Sequence, residues 1–248
     1  MITFNEAPNL GRILAKLEWA PRIVVIDSGS TDETLDMLRK YSNVEIFHHV
    51  FADFATQCNF GLTKVVSEWV LSLDADYELS DELVTTLRTL TPSDRADGYR
   101  ARFVYRIHGR PLRGTLYPPR TVLYRKQKAS YKKEGHGHHV VVDGPIAELK
   151  GVIYHDDRKP LSRWIASQQL YAREEAEYVL KTCRATLSTF DKVRLMAWPA
   201  PILVFFYCLF CKGCILDGWP GWYYVLQRVV YETLVALEVI DRRLLTKG

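Results

Sequence analysis

The sequence lacks an apolar run long enough to cross a membrane. Its longest stretch without a charge covers residues 195–211 and is broken by Pro199 and Pro201, whereas a spanning helix needs roughly 20 apolar residues. Residues 1–9 have neither a basic n-region nor an apolar h-region, so no secretory leader is read and the expected compartment is the cytoplasm. Cysteine is scarce: Cys58 and Cys183 stand alone, and an odd total of five makes no disulfide framework. Cys208, Cys211 and Cys214 do have C-x2-C-x2-C spacing, which can hold a metal or an iron–sulfur cluster. No fourth ligand is evident and the flanks are Leu, Phe, Tyr and Ile, so they read as small apolar residues of a buried or lipid-facing segment. G-x-G-x-x-G and G-x-x-x-x-G-K-[ST] are both missing, so neither a standard dinucleotide fold nor a P-loop is supported.

Acids are missing from one long stretch. Between positions 98 and 133 stand 11 bases (Arg100, Arg102, Arg106, Arg110, Arg113, Arg120, Arg125, Lys126, Lys128, Lys132, Lys133) and no Asp or Glu. The formal charge of +4 therefore divides unevenly, with 22 bases facing 29 acids in the rest of the chain. Such a run predicts a basic surface. Tyr and Phe interleave with it and could stack nucleobases, but no nucleic-acid motif accompanies them and no nucleic acid is expected as a partner.

What is present is 48% apolar and 12% aromatic residues, the profile of a folded chain with a sizeable core. Residues 22–27 form a short β-branched run ending in an acid, as a buried parallel strand would. Ser30, Thr31, Asp32 and Glu33 then supply cap and first-turn acids for a helix to about Tyr41. Residues 44–48 and 69–73 are further strands, 8–19, 53–66 and the segment from Ser80 are helices, and residues 1–4 make a short first strand. Right-handed crossovers turn that β-α-β-α-β-α-β-α order into an open parallel sheet with its ligands at the carboxyl ends of the strands. After Asp97, residues 99–107, 120–124, 140–142 and 152–155 read as mixed or antiparallel strands, and residues 160–187 as a long helix. The uncharged segment 195–211 continues into Trp219, Trp222, Tyr223 and Tyr224, and a last helix spans about 223–245. Aromatics edging an apolar segment favour the lipid headgroup layer, which predicts a monotopic or re-entrant anchor in the cytoplasmic leaflet.

Two strand ends carry the candidate chemistry. Asp27 is followed by Ser28-Gly29-Ser30-Thr31-Asp32, so a carboxylate can bond a ribose or base while loop amides face a polar ligand. Asp74-Ala75-Asp76 closes the next apolar strand, and two acids this close repel unless a cation sits between them. Oxygen ligands of this type suit Mg2+ or Mn2+ shared with a diphosphate.

These residues resemble the inverting, GT-A fold glycosyltransferases of family 2, which use nucleotide sugars. Thr3-Phe4-Asn5-Glu6 is similar to the opening nucleotide motif, residues 25–34 to the second, and Leu73-Asp74-Ala75-Asp76 to the DXD motif. More loosely, Val142-Asp143-Gly144-Pro145, the run ending at His155, and Leu216-Asp217-Gly218 resemble bacterial members that build lipopolysaccharide or other lipid-linked glycans. The resemblance implies an α/β chain with a Rossmann-like GT-A open sheet. Residues 1–97 would be the nucleotide-sugar half, 98–160 the acceptor half, and 161–248 C-terminal helices with a membrane-associating segment at 195–217. By position, Thr3, Asn5 and Glu6 would line the base pocket, and Asp27 would contact the uracil or ribose with Ser28 and Gln57 beside it. Asp74 and Ala75 would hold the ribose side, Asp76 and His155 the Mg2+ or Mn2+, and Arg158 and Lys159 would lie near the diphosphate. Arg163 and Trp164 would flank the acceptor.

An inverting transfer needs a base for the acceptor hydroxyl and a cation for the leaving diphosphate. Many relatives carry His-Glu just before the Val-Asp-Gly-Pro segment, where this chain has Gly137, His138 and His139. Glu134 assisted by His136 is the expected base, with His138 the alternative. Cys58 stands where relatives often carry a basic residue. The implied function is metal-dependent transfer from a nucleotide donor, UDP-linked, to a lipid-linked or cell-envelope glycan acceptor at the cytoplasmic membrane surface. The alternative is a catalytically inactive relative that binds a nucleotide sugar or a lipid head group.

Overall fold

The first strands and helices form much as their residue patterns dictate. The computed structural model describes residues 1–91, 95–134 and 137–245, the side chains of 133–138 excepted. β1 (Ile2–Thr3), β2 (Ile23–Asp27) and β3 (Val44–His48) form a parallel sheet in that order. The apolar run of β2 is almost wholly buried, as a strand covered on both faces must be. α1 (Ala7–Ala15) has Pro8 in its first turn, where a missing N–H breaks no helical bond, and buries Leu10, Ile13 and Leu14 along one stripe. α2 (Thr34–Leu38) is short. α3 (Phe54–Lys64) is capped by Asp53, which accepts from the Thr56 N–H at 2.7 Å.

The expected open sheet changes at Trp69. β4 (Trp69–Leu71) does not extend the parallel sheet. It belongs to a second sheet that contains β5 (Tyr77–Leu79), β6 (Gly98–Ile107), β8 (Arg120–Arg125) and β11 (Ile146–His155), ordered β4-β8-β6-β11-β5. The two-residue β1 gives a parallel neighbour only one bridge, Ile2 to Asp74. β8 instead pairs antiparallel with Trp69, Val70 and Leu71 and buries Val122, Leu123 and Tyr124. Next to the short β1 lies an apolar cavity of about 550 Å³, lined in part by Val24, Ile26, Leu62, Val70 and Tyr124. α2 is also shorter than the helix expected from Ser30 to Tyr41. The Asp27 carboxylate binds the Gly29 and Ser30 N–H groups at 2.8 and 3.0 Å and keeps those residues in the loop.

β11 organises the second sheet. It runs parallel to β6, with His155 opposite Tyr105, and antiparallel to β5, with His155 opposite Tyr77. Its register against β6 shifts between Glu148 and Val152, and Gly151 lies in that bulge at φ +90°. α4 (Asp81–Thr89), capped by Ser80, packs so close that a Cβ on Gly151 would stand 2.5 Å from the Leu83 backbone nitrogen. β9 (Ala129–Glu134) and β10 (Gly137–Val142) pair with each other, and β7 (Arg110–Pro111) is a short strand.

The chain divides into two compact units: Met1–Gly109, Tyr117–Lys133 and His138–Lys159 form the first, and Arg110–Leu116, Glu134–Gly137 and Pro160–Gly248 the second. In the second unit, α5 (Leu161–Lys181) packs Ala172, Ala176 and Val179 into a core with Tyr231, Val235 and Val239 of α8 (Trp219–Leu245). Arg194, on α6 (Thr189–Leu195), lies 2.7 Å from both Glu175 and Glu232 and ties the helices together. α7 (Pro199–Phe206) leads into a π-helical turn at Tyr207–Cys211. α5 stops at Lys181, short of the expected residue 187, because Thr182 turns extended. Cys208 and Cys214 are buried whereas Cys211 is exposed, and the described residues hold no cluster of three metal-ligating side chains. No described helix is long and apolar enough to cross a membrane.

Folding brings acids from elsewhere in the sequence to four of the eleven bases of the acid-free stretch. Arg106 reaches Glu78 at 3.4 Å and stacks on Tyr154, Arg125 pairs with Glu68 and Asp97, Arg100 with Glu148, and Arg113 with Asp217. The tight bulge generates a stability prediction. Gly151→Ala combines a strained φ with a backbone clash and should destabilise the fold by about 2 kcal/mol or more. A urea melt compared with that of Lys150→Ala, at an exposed neighbour, measures the difference.

Candidate functional site

At the carboxyl end of β2 the sequence places an acid before a small-residue loop, and the fold wraps that loop around the acid. Asp27 is buried and accepts four bonds, from the Gly29 and Ser30 amides, from Ser30 Oγ at 2.5 Å and from Thr3 Oγ1 at 3.3 Å. Asn5 stands at φ +54°, a conformation asparagine tolerates, and its Oδ1 accepts from the Thr31 and Asp32 amides at 2.6 and 3.3 Å. Gln57 is fully buried and donates to Ser28 Oγ at 2.7 Å and to the His49 carbonyl at 2.8 Å. Thr3, Asn5, Asp27, Ser28 and Gln57 thus come together as one bonded frame, and their side chains hold the shape of loop 28–32.

A second cluster lies where β5 meets β11. The backbone of Asp74 bridges to Ile2, Ala75 is buried, and the register that sets His155 opposite Tyr77 brings its Nε2 to 3.0 Å from Asp76 Oδ2. Burial works against the Asp76 carboxylate, but the His155 charge and hydrogen bond, with Lys159 behind them, outweigh it and hold the group down to about 2. Burial likewise disfavours the imidazolium, and Asp76 overcomes it, so the His155 pKa is raised. The rings of Tyr77, Tyr105 and Tyr117 surround the imidazole with centroids at 5.4, 4.6 and 4.8 Å. The Tyr77 and Tyr117 hydroxyls bond to each other, and burial raises both phenols so that they stay neutral.

Asp76 Oδ1 and His155 Nδ1 are buried with no hydrogen-bond partner. A buried carboxylate oxygen left unsatisfied points to a ligand or ion. One carboxylate and one imidazole make an incomplete cage, which suits Mg2+ or Mn2+, since such ions keep waters and take substrate phosphates as further ligands. The residues therefore fit the cation that the DXD resemblance implies.

The third cluster joins α1 to residues 156–159. Lys159 Nζ lies 2.6 Å from Glu6 and 3.3 Å from Asp157, and fully buried Asn9 donates to Glu6 and Asp157 while accepting from the Arg158 amide. Burial pushes the Glu6 carboxyl up to about 7 against the pull of Lys159, whose own pKa is raised. Arg158 is paired with Asp156 at 2.8 Å. Three candidate bases fall beyond this description: His136 and the side chains of Glu134 and His138 lie outside the described residues. Asn9, Tyr105, Tyr117 and Arg120 gave no motif in the sequence. Tyr105, Tyr117 and Arg120 stood out only as members of the basic, aromatic stretch from 98 to 133, and Asn9 only as a polar residue one position from the apolar stripe of α1.

The Glu6–Lys159 pair is mostly buried, so removing one partner leaves the other's polar atoms buried without their partner. Lys159→Met should destabilise the protein by roughly 3 kcal/mol, and Glu6→Gln added to it should restore a large part of that loss. Chemical denaturation of the two single variants and the double variant closes the cycle.

A model described as glycosyl transferase family 2 matches residues 1–153, more than half of the chain. A glycosyltransferase of Rickettsia prowazekii is 26% identical over 236 residues, covering 89% of this chain and 78% of its own length. The lipopolysaccharide core biosynthesis glycosyltransferase LpsC of Rhizobium meliloti is 26% identical over 260 residues, covering 99% of this chain and 92% of its own. Among solved structures, S. aureus TarS 1-349 in complex with UDP aligns at a TM-score of 0.48 and 15% identity, over 98% of this chain and 90% of that one. The α/β architecture and the family match agree with the GT-A fold read from the sequence motifs: the chain belongs to glycosyl transferase family 2 and is a glycosyltransferase.

Proposed function

We propose that this glycosyltransferase moves a sugar, with inversion, from a UDP-linked donor to a lipid-linked or cell-envelope glycan acceptor, using Mg2+ or Mn2+ held by Asp76 and His155. The observation that carries this reading is the buried Asp76–His155 contact with its unsatisfied Oδ1: Asp76 lies in the turn between β4 and β5, and His155 ends β11. Uracil as the base rests on the motif resemblance, and the acceptor class on the likeness to LpsC. The bound cation would neutralise charge on the leaving diphosphate. Asp76 and His155 would hold its position, and loop 28–32, whose amides are bonded to Asp27 and Asn5, would form a wall of the nucleoside pocket. Glu134 with His136 takes the acceptor hydroxyl's proton, while the acceptor oxygen bonds to the anomeric carbon and the departing phosphate oxygen keeps the bonding pair.

The second compact unit offers a surface for a membrane-borne acceptor. Trp198, Ile202, Phe206, Phe210, Leu216 and Trp219 are each at least half exposed, and the Arg110 and Lys212 cations stack on Trp219 and Tyr207. Large apolar and Trp side chains with neighbouring bases suit an anionic phospholipid surface, where each exposed base contributes about 1 kcal/mol. The reading therefore has the protein act peripherally at the inner face of the cell membrane, a location that rests on this exposed apolar and basic patch.

One observation favours a second reading, a relative that binds nucleotide sugar without turnover: Gly137, His138 and His139 stand where family members carry a carboxylate. Three results decide. Asp76→Ala should abolish cation-dependent release of UDP from UDP-sugars while leaving the circular dichroism spectrum unchanged, and undiminished release would refute the metal assignment. UDP binding by calorimetry with no turnover of any donor would favour the inactive reading. The triple variant Trp198→Ser, Phe206→Ser, Phe210→Ser should bind anionic vesicles at least tenfold more weakly in flotation assays, each lost apolar contact weighing on the order of 1.5 kcal/mol.

A further inference from the structure

Most cations around the strand-end acids are already engaged inside the protein. Lys159 pairs with Glu6 and Asp157, Arg158 with Asp156, and Arg12 and Arg106 both reach Glu78. Arg120 differs. Among the described residues it has no carboxylate partner, although it is half-buried and feels the charges of Asp74 and Asp76. Strand register accounts for its place. β4 and β8 run antiparallel from Trp69 opposite Arg125 to Leu71 opposite Leu123, and the Ser72 amide continues the ladder to the Val122 carbonyl at 2.7 Å. Carried two residues further, that ladder brings the start of β8 alongside the Asp74–Asp76 turn.

The side chain is fixed by a ring. The Arg120 guanidinium carbon lies 4.6 Å from the centroid of Tyr117, and the Tyr117 ring lies 4.8 Å from that of His155, which contacts Asp76. Stacking uses the face of the guanidinium and leaves its in-plane N–H fork available. A planar fork stacked on a ring beside a carboxylate pair, with no carboxylate partner among the described residues, matches two phosphate oxygens.

We propose that Arg120 binds the diphosphate of the nucleotide-sugar donor through two parallel N–H···O bonds, with Tyr117 as the ring that holds it in position. This rests on the donor reading above and adds to it a direct protein contact to the leaving group, separate from the cation at Asp76 and His155. As the anomeric carbon–oxygen bond breaks and the pair stays on the phosphate oxygen, the fork donates to the charge that develops and remains protonated throughout. The Arg120–Tyr117 stack also explains why Tyr-Pro-Pro-Arg stands before β8: proline restricts its neighbours and fixes the approach of the Tyr to the Arg.

The test compares nucleoside diphosphates with their monophosphates, both without metal. Calorimetry of UDP, dTDP, GDP and ADP against UMP, dTMP, GMP and AMP in EDTA should show the wild type favouring one diphosphate over its monophosphate. In Arg120→Met that preference should fall at least tenfold while monophosphate affinity stays within twofold. Arg120→Lys, which keeps the charge but not the fork, should fall between them, and it keeps the test valid if the methionine variant melts early. An unchanged preference in both variants would overturn the role of Arg120 and leave the donor reading standing, and a loss of kcat alone would place the residue on the acceptor. A wild type that binds no nucleotide of either series overturns the donor reading and this inference together.

Discussion

The contact between Asp76 and His155 depends on a single alignment, that of β11 between β6 and β5. Seven of the ten residues of β11 pair with β6, and only the last three pair with β5, so the end of the strand fixes which side chain meets the DXD turn. A slip of one residue would send His155 to the opposite face of the sheet. The bulge at Gly151 absorbs one mismatch upstream and lets α4 close on the strand, which keeps the downstream register intact. In that sense the glycine and the histidine four residues later serve one geometry.

Electrostatics around that contact is arranged in layers. Asp76 stays ionised in a buried setting because His155 and Lys159 stand beside it, and Lys159 is itself held by Glu6 and Asp157. Asn9 supplies the neutral bridge that joins these charges to the backbone at Arg158. A buried network of this kind is stable only when its members are satisfied; Asp76 Oδ1 and His155 Nδ1, on the pair assigned to the cation, are unsatisfied, as are Asp156 Oδ1 and Arg12 Nε nearby. The aromatic ring of tyrosines around His155 lowers the local polarity and limits the water that could screen the pair.

Several motif residues turn out to shape the fold. Gly144 stands at φ +144° and a Cβ there would collide with the Asp97 carboxylate, Gly218 stands at φ +65°, and Asp217 accepts from the Arg113 amide at 3.1 Å and pairs with its side chain. Val-Asp-Gly-Pro and Leu-Asp-Gly in this chain are therefore turns whose glycine is required by geometry. Asn5 and Gln57 have the same character, since their hydrogen bonds hold the loop after Asp27 in shape.

The sequence by itself determined the elements whose signals are local: the β-branched run before Asp27, the Asp53 and Ser80 caps, the apolar stripe of α1, and the motif acids at strand ends. It also pointed to Asp76 and His155 as partners, through family resemblance. Tertiary structure alone decided what depends on contacts far apart in the chain. Trp69–Leu71 left the parallel sheet because the short β1 gives it one bridge and β8 gives it three pairs. The acid-free stretch lost its uniform charge because Glu68, Glu78, Asp97, Glu148 and Asp217 reach it from elsewhere in the fold. Arg120 stood out in the sequence only as one of the eleven bases of that stretch; that it has no carboxylate partner among the described residues is a property of three-dimensional neighbours, which spacing along the chain does not encode.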